Sequence, residues 1–398
     1  MKRLHRTATA AALALPVVAA GTASALPAPG QASVSVTAPA TPGSAARAEA
    51  PQLPRPTGPY AVGRDTLHFT DHARPDPWVP EAGARELMVT MYYPARAGTG
   101  TPARYATTEE IRLLLESQNL EDAAPPEALS ATGVHSRANA RPSGGGLHPL
   151  VVLSPGFTIS RYTLTSLAED LASRGYVVAA VDHAYESVGA AFPGGRMLTC
   201  VACDKLKETK DYSIATTVRA QDVSFLLDRL TGGQPAWRHA QLIDKKRIGM
   251  AGHSLGGASA GSAMAGDSRL RAGINMDGSF HGSVPDQGLD GRPFMMLGTD
   301  DETHRPGGED ESWDTAWERL DGWKRWLTVA GADHFTFTDT PFLSEEFGLP
   351  APELSAKRSI DLTRAYAGAF FDQHLRGIPR SLLDGPTAAN PEVRFNNP

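Results

Sequence analysis

Within Lys245–Gly266, KKRIGMAGHSLGGASAGSAMAG, one serine stands between glycines: Gly252-His253-Ser254-Leu255-Gly256-Gly257. An alcohol is a poor nucleophile until a base takes its proton, so the surrounding chain has to present this one. A basic and then apolar run precedes it and a row of small residues follows. That is the order strand, sharp turn, helix required of a nucleophile elbow. Glycines at both flanks let neighbouring backbone approach without Cβ clashes, and the Ala and Gly of 257–261 let the helix lie close to a sheet. The chemistry that fits is attack on a carbonyl through a covalent acyl intermediate.

The base must come from elsewhere in the chain. His334 follows the apolar run Trp326-Leu327-Thr328-Val329-Ala330 near the end of the sequence and has the best position. His253 adjoins the serine but projects elsewhere from the turn. His183 suits a pocket wall or a structural role, and His281 and His304 sit in loops. A carboxylate should fix the imidazole tautomer and stabilise the imidazolium. Asp277 ends the strand after the elbow strand, and Asp300 and Asp301 end the strand after that. Both places keep the order Ser, Asp, His, and spacing does not separate them. A tetrahedral intermediate also needs backbone donors for its oxyanion. One is expected from the amide of Leu255, just after the nucleophile. The other should come from Ser154-Pro155-Gly156-Phe157, where Pro155 has no N–H to give, so Phe157 is the expected donor.

These residues need a frame. Strands are expected at 87–94, 149–154, 176–182, 247–251, 272–276, 293–297 and 326–330. Helices are expected at 107–117, 162–173, 214–230, 313–320 and 359–375. Strands that are apolar throughout and alternate with helices predict an α/β protein with a mostly parallel sheet covered on both faces. Ligands bind beyond the carboxyl ends of such strands, where every residue named above lies.

The chain has 398 residues and a formal net charge of −6, with no basic patch or Arg-rich helix, so no nucleic-acid partner is expected. Lys2, Arg3, His5 and Arg6 precede the short apolar run 8–20 and Ala23-Ser24-Ala25, the pattern of a secretory signal peptide over 1–25. Residues 26–59, rich in Ala, Pro, Ser and Thr, read as a disordered linker, and 60–398 as one catalytic domain. Cys200 and Cys203 are expected to form a small disulfide in an exported protein, with free thiols as the alternative.

Taken together, PLVVLSPGF, LAEDLASRGYVVAAVDHAYES, RAQDVSFLLDRL, GHSLGG, INMDGSF and GADHFTFTD resemble the secreted-type platelet-activating factor acetylhydrolases and their bacterial relatives, over about Leu87 to His374. The resemblance implies an α/β-hydrolase fold, Ser254 as nucleophile, His334 as base, Asp277 as acid, Phe157 and Leu255 as oxyanion donors, no cofactor or metal, and a preference for short acyl groups. Where that family often has Ser-His-Gly, this chain has Ser154-Pro155-Gly156.

The expectation is a secreted, monomeric serine esterase acting on a small-molecule or lipid ester. One alternative is a lipase or polyester hydrolase touching a lipid interface transiently. Phe335, Phe337, Phe342, Leu343 and Phe347 would then form an apolar rim rather than ordinary packing. Another is an acyltransferase, and a third is a non-catalytic binding protein on a hydrolase fold.

Overall fold

The computed structural model describes residues 50–398. The expected signal peptide and the 26–49 part of the expected linker lie outside the described residues. The end of that linker, 50–59, differs from expectation, because it is packed onto the body. Leu53 is buried and its amide donates to the Gly133 carbonyl at 3.0 Å. The amide and hydroxyl of Thr57 donate to Asp170 Oδ1 at 2.7 and 2.8 Å, and Arg364 takes the carbonyls of Pro54 and Arg55. Composition conceals this anchoring. Apart from Leu53, which joins the apolar cluster of Tyr105, Ile111 and Leu115, the segment is held by hydrogen bonds between its backbone and groups distant in sequence.

The strands are β1 (Ala61–Pro75), β2 (Ala84–Ala95), β3 (Thr101–Pro102), β4 (Arg137–Ala138), β5 (His148–Ser154), β6 (Val177–His183), β7 (Ala190–Phe192), β8 (Arg196–Leu198), β9 (Ile243–His253), β10 (Leu270–Met276), β11 (Phe294–Thr299), β12 (Lys324–Val329) and β13 (Val393–Phe395). The helices are α1 (Thr108–Ser117), α2 (Pro126–Ser130), α3 (Thr165–Ser173), α4 (Val201–Thr209), α5 (Ser213–Thr231), α6 (Leu255–Gly266), α7 (Glu311–Arg319), α8 (Thr340–Phe347) and α9 (Ala356–Arg376). Apart from the small β7–β8 hairpin, the strands form one sheet in the order β13-β12-β11-β10-β9-β5-β6-β2-β1-β4-β3. Its centre, β12 through β6, is parallel, and antiparallel strands extend it at both sides. This is the expected α/β-hydrolase architecture.

The central strands are buried on both faces, as continuous apolar runs require. Successive side chains alternate between two cores. Leu150 and Val152 of β5 join Val223, Leu226 and Leu227 of α5 and Met264 of α6. Val151 and Leu153 join Leu167 and Leu171 of α3 and Tyr366, Phe370 and Phe371 of α9. Strand β1 was not expected. It lies near the sheet edge, alternates polar and apolar residues irregularly, and owes its length to pairing with β2 from Ala61↔Ala95 to Asp71↔Arg85. Helix α1 begins as its sequence predicts, with Thr107 and Glu110 forming a reciprocal capping box. No helix among the described residues is long and apolar enough to cross a membrane.

Candidate active site

Strand β9 runs out at His253, and Ser254 turns the chain with φ 53° and ψ −124°, a conformation that side-chain-bearing residues avoid. The turn is clamped. Ser254 N–H donates to the Met276 carbonyl at 2.7 Å, and its own carbonyl accepts from Gly257 and Ala258 of α6. The flanking glycines are required by contact. A Cβ on Gly252 would lie 2.2 Å from the Gly256 carbonyl carbon, and one on Gly256 would lie 2.1 Å from the Ser154 oxygen.

His334, in the loop after β12, reaches this serine. Ser254 Oγ and His334 Nε2 are 3.0 Å apart, and His334 Nδ1 lies 2.7 Å from Asp277 Oδ2. Asp277 is buried at the end of β10, itself at positive φ, and its Oδ1 accepts from the Thr299 amide at 2.7 Å. Of the three carboxylates left open by spacing, it is the one hydrogen-bonded to His334. Asp300 accepts instead from Arg305 and Thr328 and pairs with Arg394, while Asp301 accepts from Thr299 and the amides of Thr303 and His304. Burial alone would lower the His334 pKa, but the hydrogen bond and charge of Asp277 outweigh it and raise the imidazole above its ordinary 6.5.

The other histidines take distinct places. His253 is buried, which together with the neighbouring His334 pushes its pKa down to about 3, so it stays neutral. Its Nε2–H donates to the His334 backbone carbonyl at 2.6 Å and ties that loop to the elbow. His304 stands behind Asp277, with Nδ1 at 2.8 Å from Thr299 Oγ1. His281 stacks on Tyr212 with centroids 5.2 Å apart, and Tyr212 meets Phe157 edge-on. His183 lies under the floor, hydrogen-bonded to Ser154 and Asp222.

A cavity of about 380 Å³ opens over Ser254, lined by Phe157, Tyr212, Leu255, His281 and His304 among others. The amide of Leu255 heads α6, where a helix has no carbonyl of its own to offer it. Phe157 follows β5 on the facing wall. Tyr212 and the Thr299 amide escaped the sequence reading, since neither lies in a recognisable motif. Of the aromatic run after His334, Phe337, Phe342 and Leu343 are buried in the cores, and Phe335 and Phe347 are half-buried. Cys200 and Cys203 are disulfide-bonded.

A family model described as platelet-activating factor acetylhydrolase, isoform II, matches residues 45–193. A "Probable 1-alkyl-2-acetylglycerophosphocholine esterase" of Arthroderma benhamiae is 30% identical over 381 residues, covering 86% of this chain and 93% of the relative. The platelet-activating factor acetylhydrolase of Gallus gallus is 23% identical, covering 86% of this chain and 89% of its own. Among solved structures, a ferulic acid esterase from Streptomyces cinnamoneus superposes with TM-score 0.77 at 43% identity, over 87% of this chain and 99% of the other.

Proposed function

The chain belongs to the platelet-activating factor acetylhydrolase family and is a carboxylic ester hydrolase; from that premise we propose an exported serine esterase with Ser254 as nucleophile, His334 as general base and Asp277 as its orienting acid. The observation that carries the reading is the unbroken line from Ser254 Oγ to His334 Nε2 at 3.0 Å and from His334 Nδ1 to Asp277 Oδ2 at 2.7 Å. As Ser254 Oγ bonds to the ester carbonyl carbon, its proton passes to His334 Nε2. The carbonyl oxygen gains negative charge between the Leu255 and Phe157 amides. Collapse of this intermediate breaks the bond to the alkoxy oxygen, which leaves with the proton from His334. Water, losing a proton to the same nitrogen, then attacks the acyl carbon; the bond from that carbon to Ser254 Oγ breaks, the serine recovers its proton from His334 and the acid leaves. Export is supported by the basic head and apolar run of 1–25, and by the Cys200–Cys203 bridge, which suits an oxidising compartment.

Short acyl groups fit the named acetylhydrolase relatives. Aromatic acyl esters are a second reading, favoured by the Phe157, Tyr212 and His281 rings along the cavity and by the 43% identical ferulic acid esterase. The test is a fluorophosphonate label on the intact protein, with p-nitrophenyl esters of rising chain length and methyl ferulate as substrates. Labelling and turnover should vanish together in Ser254→Ala. A folded Ser254→Ala variant that still labels or turns over would remove the nucleophile assignment. The ratio of acetyl to feruloyl rates chooses between the two substrate readings.

A further inference from the structure

Beneath the loop that carries Phe157 lies a second Ser-His-Asp line. Ser154 Oγ is 3.1 Å from His183 Nε2, and His183 Nδ1 is 2.8 Å from Asp222 Oδ2. The spacing matches that at Ser254, yet this line is sealed, with Ser154 and Asp222 at 0% exposure and His183 at 2%. No substrate reaches it. Burial and the Arg219 charge lower the His183 pKa, so the ring is neutral. Its Nδ1–H then donates to Asp222 and its Nε2 accepts the Ser154 hydroxyl proton.

The line is one arm of a larger buried network. Arg219 of α5 donates from Nη1 to the Pro155 carbonyl at 2.6 Å and to Ser154 Oγ at 3.3 Å, and from Nε to Glu186 at 2.7 Å. Glu186 also accepts from Arg85 and from the Trp78 indole. Arg85 bridges to Asp222 and Asp76, and Arg74 closes the set on Asp222. With Asp71, which also accepts from Arg74, three guanidinium groups thus meet four carboxylates. Burying so many charges is a poor route to stability, because desolvation offsets attraction. What the network supplies is direction. It fixes one donor on the Pro155 carbonyl, two residues before the Phe157 amide. From above, the same loop is hemmed in by the elbow, since a Cβ on Gly156 would lie 2.7 Å from His253 Nδ1.

We infer that Arg219, oriented by Glu186 and by the Ser154–His183–Asp222 line, is a positioning residue that aims the Phe157 amide at the developing oxyanion. The inference rests on the proposed serine esterase mechanism and adds a part to it. Because Pro155 has no N–H, its carbonyl is the group through which the base of the loop is gripped, and the guanidinium is that grip. The residue acts on transition-state charge and not on ground-state binding, so its loss should appear in kcat rather than KM.

The experiment compares Arg219→Gln, Arg219→Lys and Ser154→Ala in the full chain, with Ser254→Ala as reference, on p-nitrophenyl acetate. Phenylboronic acid, whose adduct with the serine carries a tetrahedral anion, is the inhibitor. Removing an oxyanion donor outright costs about 100- to 1000-fold in other hydrolases, so a misaimed one should cost Arg219→Gln about 10- to 100-fold in kcat. KM should stay within about twofold, while the boronate inhibition constant rises in step with the loss in kcat/KM. Arg219→Lys should recover part of both, since an ammonium can still donate to the Pro155 carbonyl. A folded Arg219→Gln variant with unchanged kcat and boronate affinity, or with the whole effect in KM, overturns the inference. If Arg219→Gln does not fold, Ser154→Ala decides by the same readouts: a smaller loss shared by kcat and boronate affinity supports the inference, and no loss in either overturns it. Turnover surviving in Ser254→Ala would instead remove the mechanism on which the inference depends.

Discussion

Asp277→Asn tests the assignment of the acid by exchanging one carboxylate oxygen for an NH₂ group. Asp277 Oδ1 is committed to the Thr299 amide at 2.7 Å, and that donor is buried and fixed by the sheet. An asparagine keeping this bond turns its carbonyl oxygen toward Thr299 and its NH₂ toward His334 Nδ1. The imidazole then has to accept at Nδ1 and carry its proton on Nε2, the nitrogen facing Ser254 at 3.0 Å. In that tautomer it cannot take the serine proton. The same substitution in an unrelated Ser-His-Asp protease lowers kcat about 10,000-fold. A loss of about 1,000- to 10,000-fold is expected here, equivalent to about 4 to 5.5 kcal/mol in the barrier. KM should change little, because both carboxylate oxygens are already committed, Oδ1 to the Thr299 amide and Oδ2 to His334 Nδ1, and neither is left to hold the ester. Steady-state hydrolysis of p-nitrophenyl acetate, with the pre-steady-state burst, measures acylation directly. Asp300→Asn is the control. Its carboxylate serves Arg305, Thr328 and Arg394, so it should lose less than about tenfold in rate, with any cost falling on thermal stability. Near-full activity in a folded Asp277→Asn protein, or collapse in Asp300→Asn alone, would refute the reasoning.

The pH profile follows from the sign of the His334 shift. Protonated His334 cannot accept the serine proton, so kcat/KM should fall as pH drops through a midpoint above the ordinary 6.5. In Asp277→Asn the two largest raising causes are gone, while burial still lowers the pKa against the smaller pulls of Asp333 and Asp301, so the midpoint of the residual activity should move down from that of the unaltered protein. The associated stability runs the other way. A raised folded pKa contributes stability that is fully present below the unfolded value and lost as pH rises through the folded one. Gly256→Ala should lower the thermal midpoint, since its Cβ would sit 2.1 Å from the Ser154 carbonyl oxygen, a backbone atom; overpacking of this kind costs about 1–3 kcal/mol.

The elbow was legible in the sequence because its requirements are local. The glycines at 252 and 256, the small residues of α6 and the apolar β9 before them are read from adjacent positions, and each has a steric reason. His334 was legible because parallel strands gather their carboxyl ends on one edge. Spacing did not separate Asp277 from Asp300 and Asp301, since every β-strand in such a sheet delivers its following residue to that same edge. The difference lies in where the next strand stands. Strand β11 puts the Thr299 amide behind Asp277, leaving its second oxygen facing His334, while Asp300 is turned toward Arg305 and Arg394. The mooring of residues 50–59 and the Arg219 network belong to the same class. Arg219 meets Pro155 across 64 positions and Thr57 meets Asp170 across 113. The chain alone determined which residues can react and which local turn presents the serine. The tertiary structure decided which carboxylate is hydrogen-bonded to His334 and which side chain meets the Pro155 carbonyl, because those contacts join segments with no periodicity or motif in common.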